Sequence, residues 1–503
     1  MKVLSLFAKS ITLIFSQKMK KLSSVFLFII SCVFLKAQTL NISEEIYIGN
    51  SEGYGFIGKY NDKVLFFNLD DNKVKLKAFD AKLHKTWEKD VEPDRKNSAK
   101  VLEVLGGKQD FNIIYQFRRK GHNYIKVHKY DGQVKLLDST IIRDWGREMV
   151  SPVFQTIYSE DKKVVMIYEV NNSTNINALA LSLDSLKPIW YRSFEFRDWD
   201  TDTHAKHVLI NNNAEAYFIK EEDNRNGNIE KHRFIMRYLS PTDDKLFEVP
   251  MSNYYNLDTR FKYDNINQRL TAAGVFSVKG FMRAQGYYIL NLNSLGNMNA
   301  SKSKLPIDSY KFYFQPFDDE FVMALQGKKV VDNKGLADLK IQEIVHRRDG
   351  GILAIIEQVR EVERQTASTS GRMMFRGDGI RFSIDYYYDN IFAISIGLDG
   401  TTHWKSIFYK KQASQDDDAR FCSYFLVKTP SALRFLFNDE IERSTTVSEY
   451  LLTGTGQAER HAIMNTEGQD INLRFRDAMQ ISANEVIVPS DDRRRVKLVK
   501  IQY

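Results

Sequence analysis

The chain alternates apolar runs with short polar breaks, and the alternation repeats. "KVLFFNLDDNKVKLKAFD" from Lys63 shows the unit: an apolar strand, a polar turn, then a second strand of alternating character. The unit returns in "FNIIYQFRRKGHNYIKVHKYD" from Phe111, "KVVMIYEVNNSTNINALALSLD" from Lys163 and "EAYFIKEEDNRNGNIEKHRFIMRYLS" from Glu215. It recurs from Arg269, from Gly351 ("GILAIIEQV", pairing with "NIFAISIGLD" at Asn390), from Leu433, and in "EVIVPSDDRRRVKLVKIQY" at the end. Period-two alternation bounded by Asp, Asn and Gly is the pattern of hairpins. The units are spaced by about 50 residues, with two longer intervals of about 80, and further strand-like runs flank each pair; four strands per such period is a propeller blade. The expectation is an all-β propeller over residues 38–503, of eight four-stranded blades, with seven as the alternative. The last unit lacks room for a fourth strand, and "LNISEEIYIG" from Leu40 is free to supply it.

The two long intervals mark insertions at 299–340 and 360–390. The second reads as an arm inside the hairpin joining a blade's second and third strands. Its tip is Gly377-Asp378-Gly379 and its root Tyr386-Tyr387-Tyr388, with Ile380, Phe382 and Ile384 alternating between them. Arg372, Met373, Met374, Phe375, Arg376 and Arg381, with Phe382, Tyr386 and Tyr387, are residue types that favour protein interfaces. The first insertion is read as a link between two blades. It carries Tyr313 and Phe317 as further interface candidates. A short helix is expected from Asp318-Asp319-Glu320 to a stop at Gly327. In a propeller, second-to-third turns and blade-to-blade links emerge on one face. Both insertions should therefore rise together, on the kind of loop where binding concentrates.

The chain begins with targeting features. Met19, Lys20 and Lys21 precede an apolar run from Val25 to Leu35 and then Ala37, the pattern of a secretory signal over residues 1–37 starting at Met19. Cys32 within "IISC" offers an alternative lipid anchor. The leader alters the charge picture. The formal net charge is +8, from 72 basic and 64 acidic residues; residues 1–37 hold six of the lysines and no acid, so the remainder has 66 basic residues and a net +2. Nucleic-acid binding loses its main support. Arg118-Arg119-Lys120 and Arg493-Arg494-Arg495 read as solvated turns. Beyond the leader Cys422 stands alone, so no internal disulfide can form, and its apolar neighbours make it an inert core thiol.

Candidate chemistry is sparse. "GNSEG", Gly49 to Gly53, matches a nucleophile-elbow spacing, but strand rather than helix pattern follows it. His204 and His207 lie near Asp200 and Asp202 in what reads as a loop entering a strand. Asp416-Asp417-Asp418 lacks the spacing of a calcium loop. No catalytic residue, metal site or cofactor is expected.

Three units share an apolar-x-apolar-Asp step followed by Trp: Asp80 and Trp87, Asp184 and Trp190, Asp399 and Trp404. This resembles the degenerate repeats of quinoprotein-type propellers, a class that includes eight-bladed members. The resemblance implies Trp packed between blades and Asp holding a turn. The leader ending Leu-Lys-Ala-Gln, the Tyr-, Asn- and Lys-rich strands and the absence of paired cysteines resemble envelope proteins of gliding-type bacteria, some of which use type IX secretion. "RRRVKLVKIQY" completes a blade rather than a sorting domain. The resemblance thus implies a periplasmic or lipid-anchored scaffold that caps or plugs an outer-membrane translocon, rather than its cargo. The competing expectation is an enzyme or a glycan or quinone binder working in the central channel.

Overall fold

The computed structural model of the protein describes residues 39–503 except 50, 52, 71–72, 95–96, 98, 223–231, 252, 279–281, 294–308, 327–334, 367–380, 440, 442–445, 467–470 and 493. The leader and Cys32 lie outside the described residues. Eight antiparallel sheets follow one another along the chain as blades 1 to 8. Blades 1 to 7 span residues 53–91, 99–147, 154–195, 208–250, 255–316, 339–408 and 425–465. Blade 8 combines Met479–Ser482, Glu485–Asp492 and Arg495–Gln502 with an outermost strand from the other end of the chain, Thr39–Ile42, in register Thr39↔Gln502 to Ile42↔Val499. The eight-bladed reading and its N-terminal closure therefore hold.

The first strands of successive blades contact one another, so they form the inner ring. The strands are apolar on both faces because every blade is covered on both sides. One apolar cluster fills each junction. Ile113 and Tyr115 meet Leu65 and Leu76 between blades 1 and 2. Phe392 and Ile394 meet Ile289 and Phe321 between blades 5 and 6. Val64 and Phe66 meet Ile487 and Leu498 where blade 8 returns to blade 1. Each such side chain is worth about 1.5–3 kcal/mol when fully withdrawn from water.

Polar bonds then set the blades' register. Asp161 N–H donates to Asn212 Oδ1 (3.2 Å), Asn212 N–H to Asn265 Oδ1 (3.0 Å), and Asn265 Nδ2 to Glu160 Oε2 (2.7 Å), which links the inner turns of blades 3, 4 and 5. Lys428 N–H donates to Gln480 Oε1, and Gln480 Nε2 returns to Lys428 O, between blades 7 and 8. Trp190 and Trp404 donate their indole N–H groups to Ala214 O and Gly454 O of the following blade. Asp80 accepts from Lys82 and His84 N–H, and Asp399 from Thr401 N–H, at third-to-outer turns. Asp131 does the same without a following Trp.

One expected boundary changes. Residues 310–316 are not part of a link; Tyr310–Pro316 is the outer strand of blade 5, paired with Gly286–Leu292. "KFYFQP" alternates because it is sheet. The excess over a normal blade is divided. Residues 293–309 join the third and outer strands, whose joined ends lie at the face opposite the arm. Residues 317–338 form the link to blade 6, and within it the expected helix runs Asp319–Gln326.

Candidate protein interface on the arm face

Blade 6 carries the longest strands of the ring, Ile352–Thr366 and Arg381–Ile396. A bulge between Glu357 and Val359 divides them. Below it, "ILAII" and "IFAISI" are buried on both faces, as a blade requires. Above it, pairing continues from Val359↔Tyr388 to Thr366↔Arg381 with no inner strand beside it, so the hairpin leaves the blade as an arm. A short strand from the blade 6–7 link, Gln412–Gln415, pairs with the arm's other side at Asp385–Tyr388. The remaining edge carries the exposed, charged side chains of Arg360, Glu361, Glu363 and Arg364, which discourage unspecific strand pairing.

The root of the arm is fixed from inside. Lys410 Nζ reaches Glu357 Oε1 (2.7 Å), Tyr388 O (2.8 Å) and Gln412 Oε1 (2.9 Å), and Ser423 Oγ donates to Glu357 Oε2 (2.8 Å). Gln412 Nε2 continues to Asn438 O in blade 7. Beside this network Tyr386, Tyr388, Ala419 and Cys422 form a small apolar cluster with Val359 and Ile441. The Cys422 thiol is fully buried and burial pushes it up to about 11. Asp416 accepts from Ile384 N–H (2.8 Å) and Ser383 Oγ (3.1 Å), and its own N–H donates to Ile384 O, so the acidic triplet begins by clamping the arm.

A charged cleft of about 370 Å³ opens next to the root, lined by Asp417, Asp418, Arg420, Arg474, Arg476 and Asp477. Arg476 stacks 4.6 Å over the Tyr388 ring. Arg474 joins Asp477 (2.6 Å), Asp491 (3.0 Å) and the Tyr54 hydroxyl (2.7 Å). Burial raises the Asp477 carboxyl above the usual carboxylate range, against the pull of Arg474 and Arg476.

The sequence-derived residues divide sharply. Tyr387 is half-buried on the arm, with Arg360 4.5 Å over its ring and Arg364 bonded to its hydroxyl. Tyr386 is buried in the root of the arm. The backbones of Arg381 and Phe382 pair with Thr366 and Gln365, and their side chains lie outside what is described. Arg372, Met373, Met374, Phe375 and Arg376 lie outside the described residues, as does the tip. Tyr313 sits on the outer strand of blade 5 with Lys311 4.6 Å over its ring. Phe317 is 6% exposed and stacked with Phe321 at 5.4 Å, so it belongs to the core.

Other motifs are absorbed by the fold. Ser51 Oγ donates to Gly53 O and Leu69 O, and a strand, Gly53–Tyr60, follows it. The segment holding the two histidines is a helical turn, Thr201–His204, and a 3-10 turn, Ala205–His207, rather than a loop. His204 accepts from Asp200 N–H and packs at a tilt against Trp199, with ring centroids 5.0 Å apart. His207 turns elsewhere, 3.5 Å from Glu221, whose other oxygen is 3.9 Å from His232. Burial works against the Glu221 carboxylate, yet hydrogen bonds from His207 and Asn256 and the charges of both imidazoles hold it down at about 2. This grouping escaped the sequence because its members, His207, Glu221, His232 and Asn256, come from four separate segments. Among the described residues no three His, Cys, Asp or Glu side chains form a metal-binding group.

The sheets themselves decide the architecture. The chain is a β-propeller. No family model matches it, and no curated protein matches it. Its fold is similar to that of dipeptidyl peptidase 4 from Porphyromonas gingivalis (9% identity, 88% of this chain, 56% of that one, TM-score 0.42). It is also similar to the β-propeller domain of the Trilobed protease from Pyrococcus furiosus (10%, 82% and 98%, 0.33) and to an uncharacterized protein from Listeria monocytogenes (8%, 77% and 89%, 0.37). The propeller spans little more than half the length of the dipeptidyl peptidase.

Proposed function

We propose that this chain is a non-enzymatic, exported β-propeller that serves as a protein-interaction scaffold in the cell envelope. Its partner is an outer-membrane protein, a secretion channel that it caps or assists, and the chain resides in the periplasm or is lipid-anchored to the outer membrane. One observation carries the reading. Among the described residues one hairpin leaves the ring, is braced by a strand of the next link, and is anchored by a fully buried ion pair at its base. A loop without a partner has no need of such bracing, whereas a binding element gains affinity when its ordering cost is met before the encounter.

The register supplies the test. Arg364 and Ser383 are direct partners across the arm, so replacing 365–382 with Asn-Gly closes a two-residue hairpin and leaves the root intact. The shortened chain should keep its unfolding midpoint and lose its membrane-protein complex on native affinity purification. Retention of that complex would refute the arm as the docking element. A wild-type chain that purifies as a monomer and binds sugars would refute the scaffold.

A further inference from the structure

A second feature stands on the arm face, across the ring at the rim of blades 2 and 3. The link between these blades, residues 148–153, holds Met149, Val150 and Val153 at 96%, 78% and 69% exposure. Alternation of strand direction puts this link on the same face as the second-to-third turn of blade 2, which carries Arg118, Arg119 and Lys120. The two segments touch: Arg118 donates from Nη2 to Glu148 O (2.6 Å) and from Nη1 to Met149 O (3.4 Å). Arg147 flanks Gly121 of the same turn, which holds a left-handed φ of +85°.

The rim's carboxylates do not neutralise it. Asp144 is 3.0 Å from His122. Glu148 is partly covered, and burial, then the nearby Glu169, raise its carboxyl above the ordinary range. Arg143 is drawn inward, 3.4 Å over the Tyr191 ring. Among the described residues no carboxylate pairs with Arg118, Arg119, Lys120 or Arg147.

We propose that this rim binds an anionic lipid surface, with Met149 and Val150 entering the interfacial layer and the basic turn lying at the phosphates. Three observations choose lipid over protein. Met149 and Val150 stand almost free of the surrounding surface, at 96% and 78% exposure. Three side chains offer at most a few hundred Å² of apolar surface, well short of the roughly 1,000 Å² that a stable protein interface needs. An apolar tip with cationic shoulders is complementary to a headgroup layer, where long basic side chains keep their charge at the phosphates while their stems lie in apolar surroundings. The inference does not depend on the arm.

The experiment is co-sedimentation of the full chain with vesicles of phosphatidylcholine alone or mixed with phosphatidylglycerol, with unfolding midpoints recorded for each variant. The wild-type chain should bind mixed vesicles, with binding weakened by salt, and bind neutral ones about tenfold less. Met149→Asp with Val150→Asp should abolish binding to both. Arg119→Glu with Lys120→Glu should remove the preference for anionic vesicles. Lys108→Glu with Lys135→Glu makes the same charge change at the opposite end of the same blade and should leave binding intact. Three results would overturn the proposal: no sedimentation with mixed vesicles, equal loss in the Lys108/Lys135 variant, or an apolar-tip variant that binds normally. Self-association of the wild-type chain that the apolar-tip variant abolishes, without vesicle binding, would assign the rim to a protein contact instead.

Discussion

Lys410 and Glu357 face each other at 2.7 Å with both side chains fully withdrawn from solvent, at the point where blade 6 becomes the arm. A buried pair of this kind adds little net stability over an apolar replacement, but breaking it strands a charge. Lys410→Met should therefore destabilise the fold by about 3–5 kcal/mol in denaturant unfolding. Adding Glu357→Gln should restore part of that loss. If the double variant is no more stable than Lys410→Met, the cost does not come from the stranded carboxylate.

Blades 1 and 2 come into close backbone contact at a glycine. A Cβ on Gly106 would lie 1.9 Å from the backbone oxygen of Ile57. Relief requires one blade to shift against its neighbour, so Gly106→Ala should cost about 1–3 kcal/mol. Gly454 has nothing within 4 Å of its would-be Cβ, and Gly454→Ala should stay within about 0.5 kcal/mol of the parent. Thermal midpoints of the two variants test the comparison.

Thiol chemistry reports on the arm's root. Burial holds the Cys422 thiol up at about 11, so at pH 8 it is both covered and protonated. Iodoacetamide should label it slowly in the folded chain and rapidly in guanidinium. The 365–382 deletion should leave it protected. A deletion extended through residue 389 removes Tyr386 and Tyr388 from its cluster, and labelling should then accelerate at least tenfold, by mass spectrometry.

Acid should loosen blade 4 through Glu221. Its carboxyl is lowered from an ordinary 4.5 to about 2 in the fold. A depressed carboxyl contributes stability that is present above the unfolded value and is lost as pH falls toward the folded one. The parent should thus lose stability between pH 4.5 and 2, and Glu221→Gln should lose less over that window. Urea unfolding at pH 5, 4 and 3 measures the difference.

The ring was readable because propeller strands are buried on both faces. Each blade must then show a doubly apolar second strand, such as "VLFF" at Val64 or "LAII" at Leu353, and those runs recur at the blade spacing. The outer strand of blade 5 was not readable in the same way. Tyr310–Pro316 contains Lys, Gln and Pro and follows a long segment, so it resembled a link; only its pairing with Gly286–Leu292 reveals it. Nothing local in "FYKKQAS" marks Lys410 as buried, since Glu357, which closes over it, lies about fifty residues earlier. The histidines illustrate the same limit: His207 finds its partner in a strand of the next blade rather than in His204. The arm was legible as an irregular, aromatic interruption, but that Tyr386 and Tyr388 pack at its root while Tyr387 stays half-buried follows from Ala419 and Cys422, about thirty residues further along the chain.

The clasp between Thr39 and Gln502 also has a kinetic consequence. It joins residues more than 450 positions apart, so its loop-closure cost falls at the end of folding, after most other pairings exist. Until that moment blade 8 has an open edge and the inner ring is a bent ribbon with two unmatched ends. A chain delivered N-terminus first can assemble early blades in order but cannot finish the circle before its last strand is free. The final step should be slow and concentration-independent, and interrupted chains should expose the hydrophobic walls of blades 1 and 8 to each other's copies.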